Sequence, residues 1–233
     1  MTQMNSEIPS PSTRGDSTRE ALIGAAIDVF GRDGFDASST RAISEAAGVN
    51  QALIGYHFGG KPGLYLAALK SIADNVVARV GPLLASIEAE LEDRDAAAQD
   101  STDAGRAVVL LQQITDAMVT MLTSDASTAW ARLILREQQD PSDGFDVLYE
   151  GVMHRLLAVT TRLVARALPA DATDEHCKLT ALTIIGQALV FRAARAAAMR
   201  YMEWPRLTAS EIKAIQAQLR RNVAAIVAAE VRS

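Results

Sequence analysis

The chain has 233 residues, which is enough to bury a substantial apolar core in one large domain or two. Hydrophobic residues make up 49% of it, which excludes a disordered protein, and Ala, Leu, Glu, Arg and Ile dominate over the β-favouring residues, so an all-α fold is predicted. The net charge of −5 argues against nucleic-acid binding over the whole surface, so any such contact depends on the local distribution of charge.

No segment approaches the roughly 18 consecutive apolar residues of a membrane-spanning helix, and the first residues lack the basic start and apolar stretch of a signal peptide. We therefore expect a cytoplasmic protein without membrane contact. Cys177 is the one cysteine, so it cannot form an internal disulfide, and we interpret it as a small, partly buried residue of a helix.

The chain begins with a polar stretch and then a first helix. Residues 1–16 are rich in Ser, Pro and Thr and predict a flexible N-terminal arm. Ser17 and Glu20 have the S-x-x-E spacing of a capping box, and the apolar stripe that follows predicts a helix that ends at Gly34. Phe35 is then expected to fill the core of a small three-helix domain.

The stretch over residues 39–58 contains two short apolar-periodic segments that meet at Gly48. Glycine turns the chain out of a helix through positive φ without steric cost. Ser39 or Thr40 can cap the first segment, and Asn50 can cap the second. The pattern predicts a helix, a tight turn and a second helix.

The second of these helices is predicted over residues 51–58 and has two distinct faces. At 100° per residue, Ile54 and Phe58 fall on the side that must be buried, whereas Ala52 and Tyr56 fall on the opposite side. A helix of two turns cannot survive alone, so the two preceding helices must hold it and its outer face is left free. This is the geometry with which a helix-turn-helix enters the major groove of DNA.

The side chains assigned to DNA lie on this outer face or beside it. Those predicted to face base edges are Gln51, Ala52, Leu53 and Gly55. Those predicted to hold phosphates are Thr40, Arg41, Tyr56, His57 and Lys61. For His57, packing beside Phe58 is an alternative role. Over residues 38–70 only Glu45 opposes the basic side chains, which gives a faint positive surface.

Four motifs with their spacing, G-F-D-A-S-S-T-R, A-A-G-V, Y-H-F and G-K, resemble the N-terminal DNA-binding domain of the TetR family of bacterial repressors. The resemblance covers about the first 70 residues, and it implies that Thr40, Gln51, His57 and Lys61 occupy the family's contact positions. The run IGQALVFRAARAAAMRYMEW over residues 185–204 is similar to the effector domain of the CecR-like branch of that family.

The resemblance implies a helix-turn-helix DNA-binding domain of three helices over residues 17–63 and a larger helical domain for effector binding and dimerisation over residues 64–233. In the larger domain, a long fourth helix starts at Leu64 and is expected to stop or kink at Gly81 and Pro82. A polar loop is predicted over residues 93–105. The remaining helices are predicted over 106–123, 124–139, 143–168, from a cap within 171–173 to about 202, and after a capping box at 208–211.

The last two helices are long, and the first of them carries alanines at positions 193, 194, 196, 197 and 198. Small residues allow helices to approach closely, so we expect these two helices to pack against their copies in a second chain. The result is a homodimer held by four helices. An intramolecular hairpin of the same two helices is the alternative.

A small-molecule effector needs a cavity among the helices of the larger domain, and methionines and aromatic residues suit an adaptable apolar pocket. The candidates are Met118, Met121, Trp130, Met153 and Phe191. Each is also ordinary core material. Arg192 is a candidate contact for an anionic effector, or a partner for nearby acids, and the same holds for Arg195.

No catalytic residue, metal site or cofactor is predicted. A G-x-x-x-x-G-K run ends at Lys61, but Pro62 replaces the Ser or Thr that holds magnesium in a P-loop, and a helical pattern precedes it instead of a strand. His154 and His176 have no metal-binding spacing, and the G-x-S-x-G motif of serine hydrolases is absent.

The sequence therefore predicts a homodimeric transcriptional regulator. By resemblance, it represses, binds a near-palindromic operator, and releases it when a small molecule shifts the fourth helix. The alternative from another class is an all-helical small-molecule-binding protein or enzyme whose DNA-binding head no longer functions. A protein-interaction module is a third reading, and the outward-facing motif argues against it.

Overall fold

The computed structural model of the protein describes residues 14–96, 103–125 and 127–230. These residues form helices joined by turns, with no strand among them, so the all-α prediction is confirmed. The chain divides into two compact units, one that ends at Leu69 and one that begins at Lys70. The helices are α1 (Arg14–Ala37), α2 (Thr40–Ala47), α3 (Ala52–Phe58), α4 (Lys61–Ala96), α5 (Asp103–Thr123), α6 (Ser127–Gln139), α7 (Phe145–Leu148), α8 (His154–Ala167), α9 (Asp174–Ala193), α10 (Arg195–Tyr201) and α11 (Ala209–Glu230).

The first unit is built around an aromatic cluster. Phe30 is fully buried on α1, and the ring of Phe35 stacks on it with the centroids 6.0 Å apart. Tyr65, from the start of α4, contacts both rings edge-on at 5.0 Å. Phe35 reaches this cluster because Gly34 breaks α1 at φ 84°, a value that favours glycine. The predicted break at Gly34 and the core role of Phe35 are both confirmed.

The start of α1 differs from the prediction. The helix begins at Arg14, so Ser17 lies inside it instead of capping it. Of the predicted arm over residues 1–16, residues 1–13 lie outside the described part of the chain, and the rest belongs to α1.

The second unit has α5 at its centre, packed against α8, α9 and α11. Leu111 and Thr115 of α5 are completely buried. The edge of this core is tied to α4 by arginines: Arg106 of α5 makes two hydrogen bonds of 2.7 Å to Glu90, and Arg155 of α8 pairs with Glu88 at 3.0 and 2.5 Å. Two bidentate pairs therefore fix α4 to its neighbours in this unit.

The fourth helix was predicted to stop or kink at Gly81 and Pro82, and it does not stop there. Helix α4 passes through Pro82 and continues to Ala96. Proline removes one backbone hydrogen bond and costs roughly 3 kcal/mol in a helix interior. Buried side chains on both sides of it form one continuous stripe, and their packing outweighs that cost: Val76, Val80, Leu84, Ile87 and Leu91. The predicted polar loop is correspondingly shorter, and its residues 97–102 lie outside the described chain.

Two further predicted helices differ in the structure. Thr173 caps α9 as expected, its Oγ1 accepting a hydrogen bond of 3.2 Å from the backbone N–H of His176. The predicted single helix up to residue 202 is wrong, because Ala194 leaves the helical conformation and α10 turns away from α9 by 80°. The predicted helix over 143–168 contains a π-helical turn, Tyr149–Met153, between α7 and α8.

The last helix begins at the predicted capping box. The carboxylate of Glu211 accepts a hydrogen bond of 2.7 Å from the backbone N–H of Thr208, and Thr208 Oγ1 accepts one of 3.2 Å from the backbone N–H of Ser210. Hydrogen bonding from Thr208 lowers the pKa of the Glu211 carboxyl.

Glu88 gives the second unit a testable pH dependence. The Arg155 guanidinium beside it lowers the pKa of the Glu88 carboxyl. A lowered folded-state pKa means that the pair stabilises the fold above the unfolded value of about 4.3 and loses this effect as pH falls through the folded pKa. Glu88→Gln is expected to cost about 1 kcal/mol or less at pH 7, because both side chains are partly exposed, and nothing at pH 2.

The measurement is urea unfolding of both proteins at the two pH values. Glu92→Gln, an exposed position on the same helix, is the control. An equal loss of stability at pH 7 and pH 2 in Glu88→Gln would contradict the assignment to the ion pair.

Candidate DNA-binding surface and effector cavity

The turn between α2 and α3 has the geometry of a helix-turn-helix. Ser39 Oγ caps α2 by accepting a hydrogen bond of 3.1 Å from the backbone N–H of Ala42. At the other end Gly48 adopts φ 67°, and the backbone N–H of Val49 donates to the carbonyl of Ser44 at 3.0 Å. This is a Schellman closure, which needs a left-handed residue at the position of Gly48.

Helix α3 is held at both ends. Asn50 Oδ1 accepts a hydrogen bond of 2.8 Å from the backbone N–H of Ala52, so Asn50 caps the helix as predicted. Gly59 ends it at φ 70° with its N–H donating to the carbonyl of Gly55 at 3.0 Å. The short helix thus depends on glycine and asparagine at its two termini.

The two faces of α3 are those that periodicity predicts. Ile54 is 1% exposed, whereas Tyr56 is 81% exposed and Ala52 is also on the surface. Phe58 is half-buried, and the guanidinium of Arg19 lies 5.5 Å from the centre of its ring. The outer face of α3 is therefore open within this unit.

Three of the four residues assigned to base edges line a shallow concave surface with a volume of about 430 Å³. Four of the nine assigned residues line it together with Ile54 and Gly60, namely Thr40, Gln51, Ala52 and Gly55. Gln51 Nε2 donates to Thr40 Oγ1 at 2.8 Å, which joins the start of α2 to the start of α3. Leu53 is half-buried and does not line this surface.

The residues assigned to phosphates have different surroundings. Lys61 Nζ lies 4.6 Å from the centre of the Phe35 ring and donates to the carbonyl of Asp36 at 3.4 Å, so its ammonium group is held at one place. Arg41 is exposed and forms an ion pair of 2.8 Å with Glu45. His57 is half-buried, with its ring 4.9 Å from that of Tyr56, its neighbour on the outer face.

The second unit contains a partly open apolar cavity of about 470 Å³. Four of the six predicted effector residues line it: Met118, Trp130, Met153 and Arg192. Met121 and Phe191 do not. Met121 is buried elsewhere in the core, and Phe191 precedes Arg192 by one residue and so points about 100° away from it around α9.

Sequence reasoning missed most of the aliphatic lining. Residues 131, 134, 135 and 138 of α6 all face the cavity, and their spacing of three and four is a signal that was present in the sequence. Residues 182, 185 and 189 do the same on α9. The predicted lining residues were chosen because they are methionines or aromatic residues. The helical repeat would have identified more of the residues that line the cavity.

The π-helical turn shapes one wall of the cavity. Tyr149 and Met153, at its two ends, both line the cavity. Gly151, between them, lies against α4, where an added Cβ would be 3.0 Å from the Cβ of Ala73. Extra residues in a turn of this kind are frequent at functional sites. The segment thus joins the cavity wall to α4 within the second unit.

Among the described residues that line the cavity, Arg192 is the one with a cationic side chain. It donates to the carbonyls of Leu122 and Ser124, at 2.6 and 2.9 Å, and also to the hydroxyl groups of Ser127 and Thr128. Burial lowers the pKa of Arg192, and the nearby charge of Arg195 lowers it further. All four acceptors are neutral, so these contacts hold the guanidinium without a counter-charge.

Comparison with known proteins assigns both units. Residues 22–68 match the family model of bacterial regulatory proteins of the tetR family, and residues 107–230 match the C-terminal domain of the HTH-type transcriptional dual regulator CecR. CecR of Shigella flexneri is 32% identical over 196 residues, which cover 84% of this chain and 85% of that protein. The chain belongs to the TetR family. It is a DNA-binding transcriptional regulator and not an enzyme, and its resemblance to the CecR-like branch is confirmed.

Solved structures show the same fold. A TetR-family regulator from Mesorhizobium loti aligns with a TM-score of 0.58 at 20% identity over 94% of this chain and 98% of its own. FadR of Bacillus subtilis, in complex with stearoyl-CoA, aligns with a TM-score of 0.54 at 13% identity over 88% of this chain and 96% of its own. At such identities the likeness establishes the TetR fold alone.

Two further observations concern other kinds of site. No group of three or more His, Cys, Asp or Glu side chains that could hold a metal ion occurs among the described residues. Within the same part of the chain, no single helix is both long and apolar enough to cross a membrane. Two pairs of consecutive helices reach that length and apolar character only when the two helices of a pair are joined, and these pairs are bent by 106° and 80°.

Proposed function

We propose that this TetR-family protein is a homodimeric repressor that binds a near-palindromic operator through α3 and releases it when a small molecule occupies the cavity of the second unit. The observation that carries the proposal is the division of α3 into a buried inner face at Ile54 and an open outer face at Tyr56. An open helix face of this kind is what a major-groove reader needs.

The proposed DNA contacts follow from this face. Gln51, at the N-terminal end of α3, offers an amide that can hydrogen-bond a base edge. Ala52 and Gly55 are exposed and small, so they let the helix approach closely. Tyr56 and His57 lie on α3 and Lys61 begins α4, and we assign these three residues to the phosphate backbone together with Thr40 and Arg41.

The homodimer is supported by exposed side chains on the last long helices. Helix α9 leaves four large apolar side chains exposed along one stripe: Leu179, Leu182, Leu189 and Val190. Helix α11 exposes small residues at positions 214, 217, 224, 225 and 228, all of them alanine. Apolar residues beside small ones suit close packing of helices, so we assign α9 and α11 to a four-helix interface between two copies of the chain.

An effector in the cavity would act through α4. The volume of about 470 Å³ and the apolar lining are those of a small-molecule site. The FadR relative is described in complex with stearoyl-CoA, which supports an apolar body for the ligand. Helix α4 runs without a break from Lys61 to Ala96, and its residue Ala73 lies against Gly151 of the cavity wall, so α4 is the element that we assign to carry the effector signal.

The proposal is tested by a gel-shift series with the promoter region of the protein's own gene. Tyr56→Ala is expected to weaken specific binding about 3- to 10-fold, since one hydrogen bond of about 1 kcal/mol is lost, and to leave folding unchanged. Lys61→Ala is expected to lower the slope of log binding constant against log salt concentration by about 1, which corresponds to the loss of one phosphate contact. Tyr201→Ala is the matched control, because Tyr201 is 88% exposed and lies on α10.

Unchanged operator affinity and salt dependence in both Tyr56→Ala and Lys61→Ala would remove the contact assignment. Phosphate contacts are strongest at low salt. If the protein binds a small molecule tightly but does not bind DNA even at low salt, the proposal that it is a repressor is overturned.

A further inference from the structure

The polar groups of the effector cavity are few and lie among apolar side chains. Of the 17 residues that line it, Gln138, Tyr149 and Arg192 are the polar ones. Arg192 alone among them carries a formal charge at neutral pH. Such a lining favours a ligand that is apolar over most of its surface and charged or polar at one place.

The positive charge of Arg192 has no acidic partner in contact. Its hydrogen bonds go to two carbonyls and two hydroxyl groups, and among the described residues no carboxylate lies within ion-pair distance of it. Asp125 is the acid whose charge acts on it, and Asp125 is exposed to solvent. A partly desolvated cation beside an apolar cavity favours an anion in that cavity.

Arg195 adds a second positive charge near Arg192, although it is not among the described residues that line the cavity. It begins α10, three residues after Arg192, and lies close enough to act on the charge of Arg192. Its Nη1 atom is buried and has no hydrogen-bond acceptor. Buried donors are almost always satisfied in native proteins, so this one points to a missing acceptor.

A purely structural role accounts for only part of this arrangement. Arg192 stabilises the end of α5, because it donates to the carbonyl of Leu122 in the last turn, where the helix dipole is negative. That role explains why Arg192 is present. It does not explain why Arg195 Nη1 has no partner. It also does not explain why two like charges lie close together with only an exposed acid nearby.

We propose that the effector of this protein is an amphipathic organic anion, with an apolar body in the cavity and an acidic group at the end formed by Arg192 and Arg195. The inference rests on the proposed effector role of the cavity. One water molecule occupies about 30 Å³ in the liquid. If each non-hydrogen atom of the ligand takes a similar volume, the cavity of about 470 Å³ holds an apolar body of about 15 such atoms.

Trp130 provides an internal reporter, because it lines the cavity and the chain has one other tryptophan, Trp204. In a Trp204→Phe background, the fluorescence of Trp130 is titrated with three probes of the same chain length, dodecanoate, dodecanol and dodecyltrimethylammonium, below the concentrations at which they form micelles. We expect dodecanoate to bind about 10- to 100-fold more tightly than dodecanol, as charge-assisted hydrogen bonds imply, and the cationic probe to bind most weakly.

Two variants locate the preference. Arg195→Gln is expected to reduce the ratio between dodecanoate and dodecanol to less than about 3-fold, while the affinity for dodecanol stays the same. Arg200→Gln removes a charge from an exposed position of the same helix and is expected to keep the full ratio. The comparison of probes in the parent protein stands even if Arg195→Gln does not fold.

The outcomes separate this inference from the proposed function. Equal binding of dodecanoate and dodecanol, or no binding of either, overturns the anionic effector. If dodecanol then releases the operator in a gel shift, the repressor with an effector cavity still stands. Preferential binding of dodecanoate without release of the operator supports the anionic site and overturns the regulatory role of the cavity.

Discussion

Replacing Ile54 by aspartate is expected to abolish operator binding by unfolding the N-terminal unit. Ile54 is the one buried side chain of α3 and is 1% exposed. Removing such a side chain costs about 2–5 kcal/mol in Ile→Ala changes, and a buried carboxylate without a partner costs more. A small unit with a stability of this order does not tolerate the loss. The measurement is thermal unfolding followed by circular dichroism, together with the gel shift.

The control for this experiment is Ala52→Asp, which puts the same carboxylate on the outer face of the same helix. We expect Ala52→Asp to keep the unfolding transition of the parent protein within about 0.5 kcal/mol, and to weaken DNA binding without unfolding, because its carboxylate repels phosphates and its side chain obstructs close approach of the helix. If Ile54→Asp unfolds no earlier than Ala52→Asp, the inner and outer faces of α3 are wrongly assigned, and the proposed operator contact falls with them.

Replacing Val190 by glutamate is expected to dissociate the proposed dimer. Val190 is 46% exposed in one chain and belongs to the apolar stripe of α9, but it does not line the effector cavity. Burial of an unpaired charge at an interface costs about 2–5 kcal/mol, which raises the dimer dissociation constant about 30-fold or more. The measurement is sedimentation equilibrium, which should show the mass of one chain, 24.9 kDa, at micromolar concentration.

Val109→Glu is the matched control, because Val109 is also a surface valine of the second unit, on α5, and is 41% exposed. It should leave the dimer intact. The loss of the dimer in Val190→Glu should also weaken operator binding, since two half-sites are then no longer held together. Equal masses for the two variants would show that α9 does not form the interface.

The helix-turn-helix could be predicted because its signals are local. Gly48 and Gly59 adopt positive φ, Asn50 caps α3, and the spacing of Ile54 and Tyr56 assigns the two faces. Each of these features depends on a few neighbouring residues. The hydrogen bond between Gln51 and Thr40 was not predicted, because it joins two helices whose relative position the sequence does not give.

The second unit was harder to predict because distant contacts decide its details. Pro82 is a strong local signal for a helix end, yet the buried stripe on either side of it keeps α4 continuous. At Ala194 the reverse happens, since a run of alanines favours a helix and the chain bends by 80°. Local preference fails at both places, and at Pro82 the packing of the buried stripe is the reason.

The cavity proposed for the effector was also predicted only in part. The preference for methionine and tryptophan predicted part of the residues that line it, and the helical repeat of α6 would have predicted more of them. The position of Arg192 at the end of α5 depends on the packing of α9 against α5, two helices that are distant in sequence. The lack of a hydrogen-bond acceptor for the buried Nη1 of Arg195 can be recognised only in the folded chain.

Leu182 and Leu189 line the effector cavity and are also exposed on the stripe of α9 that the proposed second copy covers. In such a dimer, the same atoms take part in two equilibria, assembly and ligand capture. By thermodynamic linkage, the factor by which bound ligand changes the dimerisation constant equals the factor by which dimerisation changes the affinity for the ligand. The dose of ligand that switches the gene then depends on how many copies of the protein a cell contains, so a change in expression level alone resets the threshold without any change in the cavity.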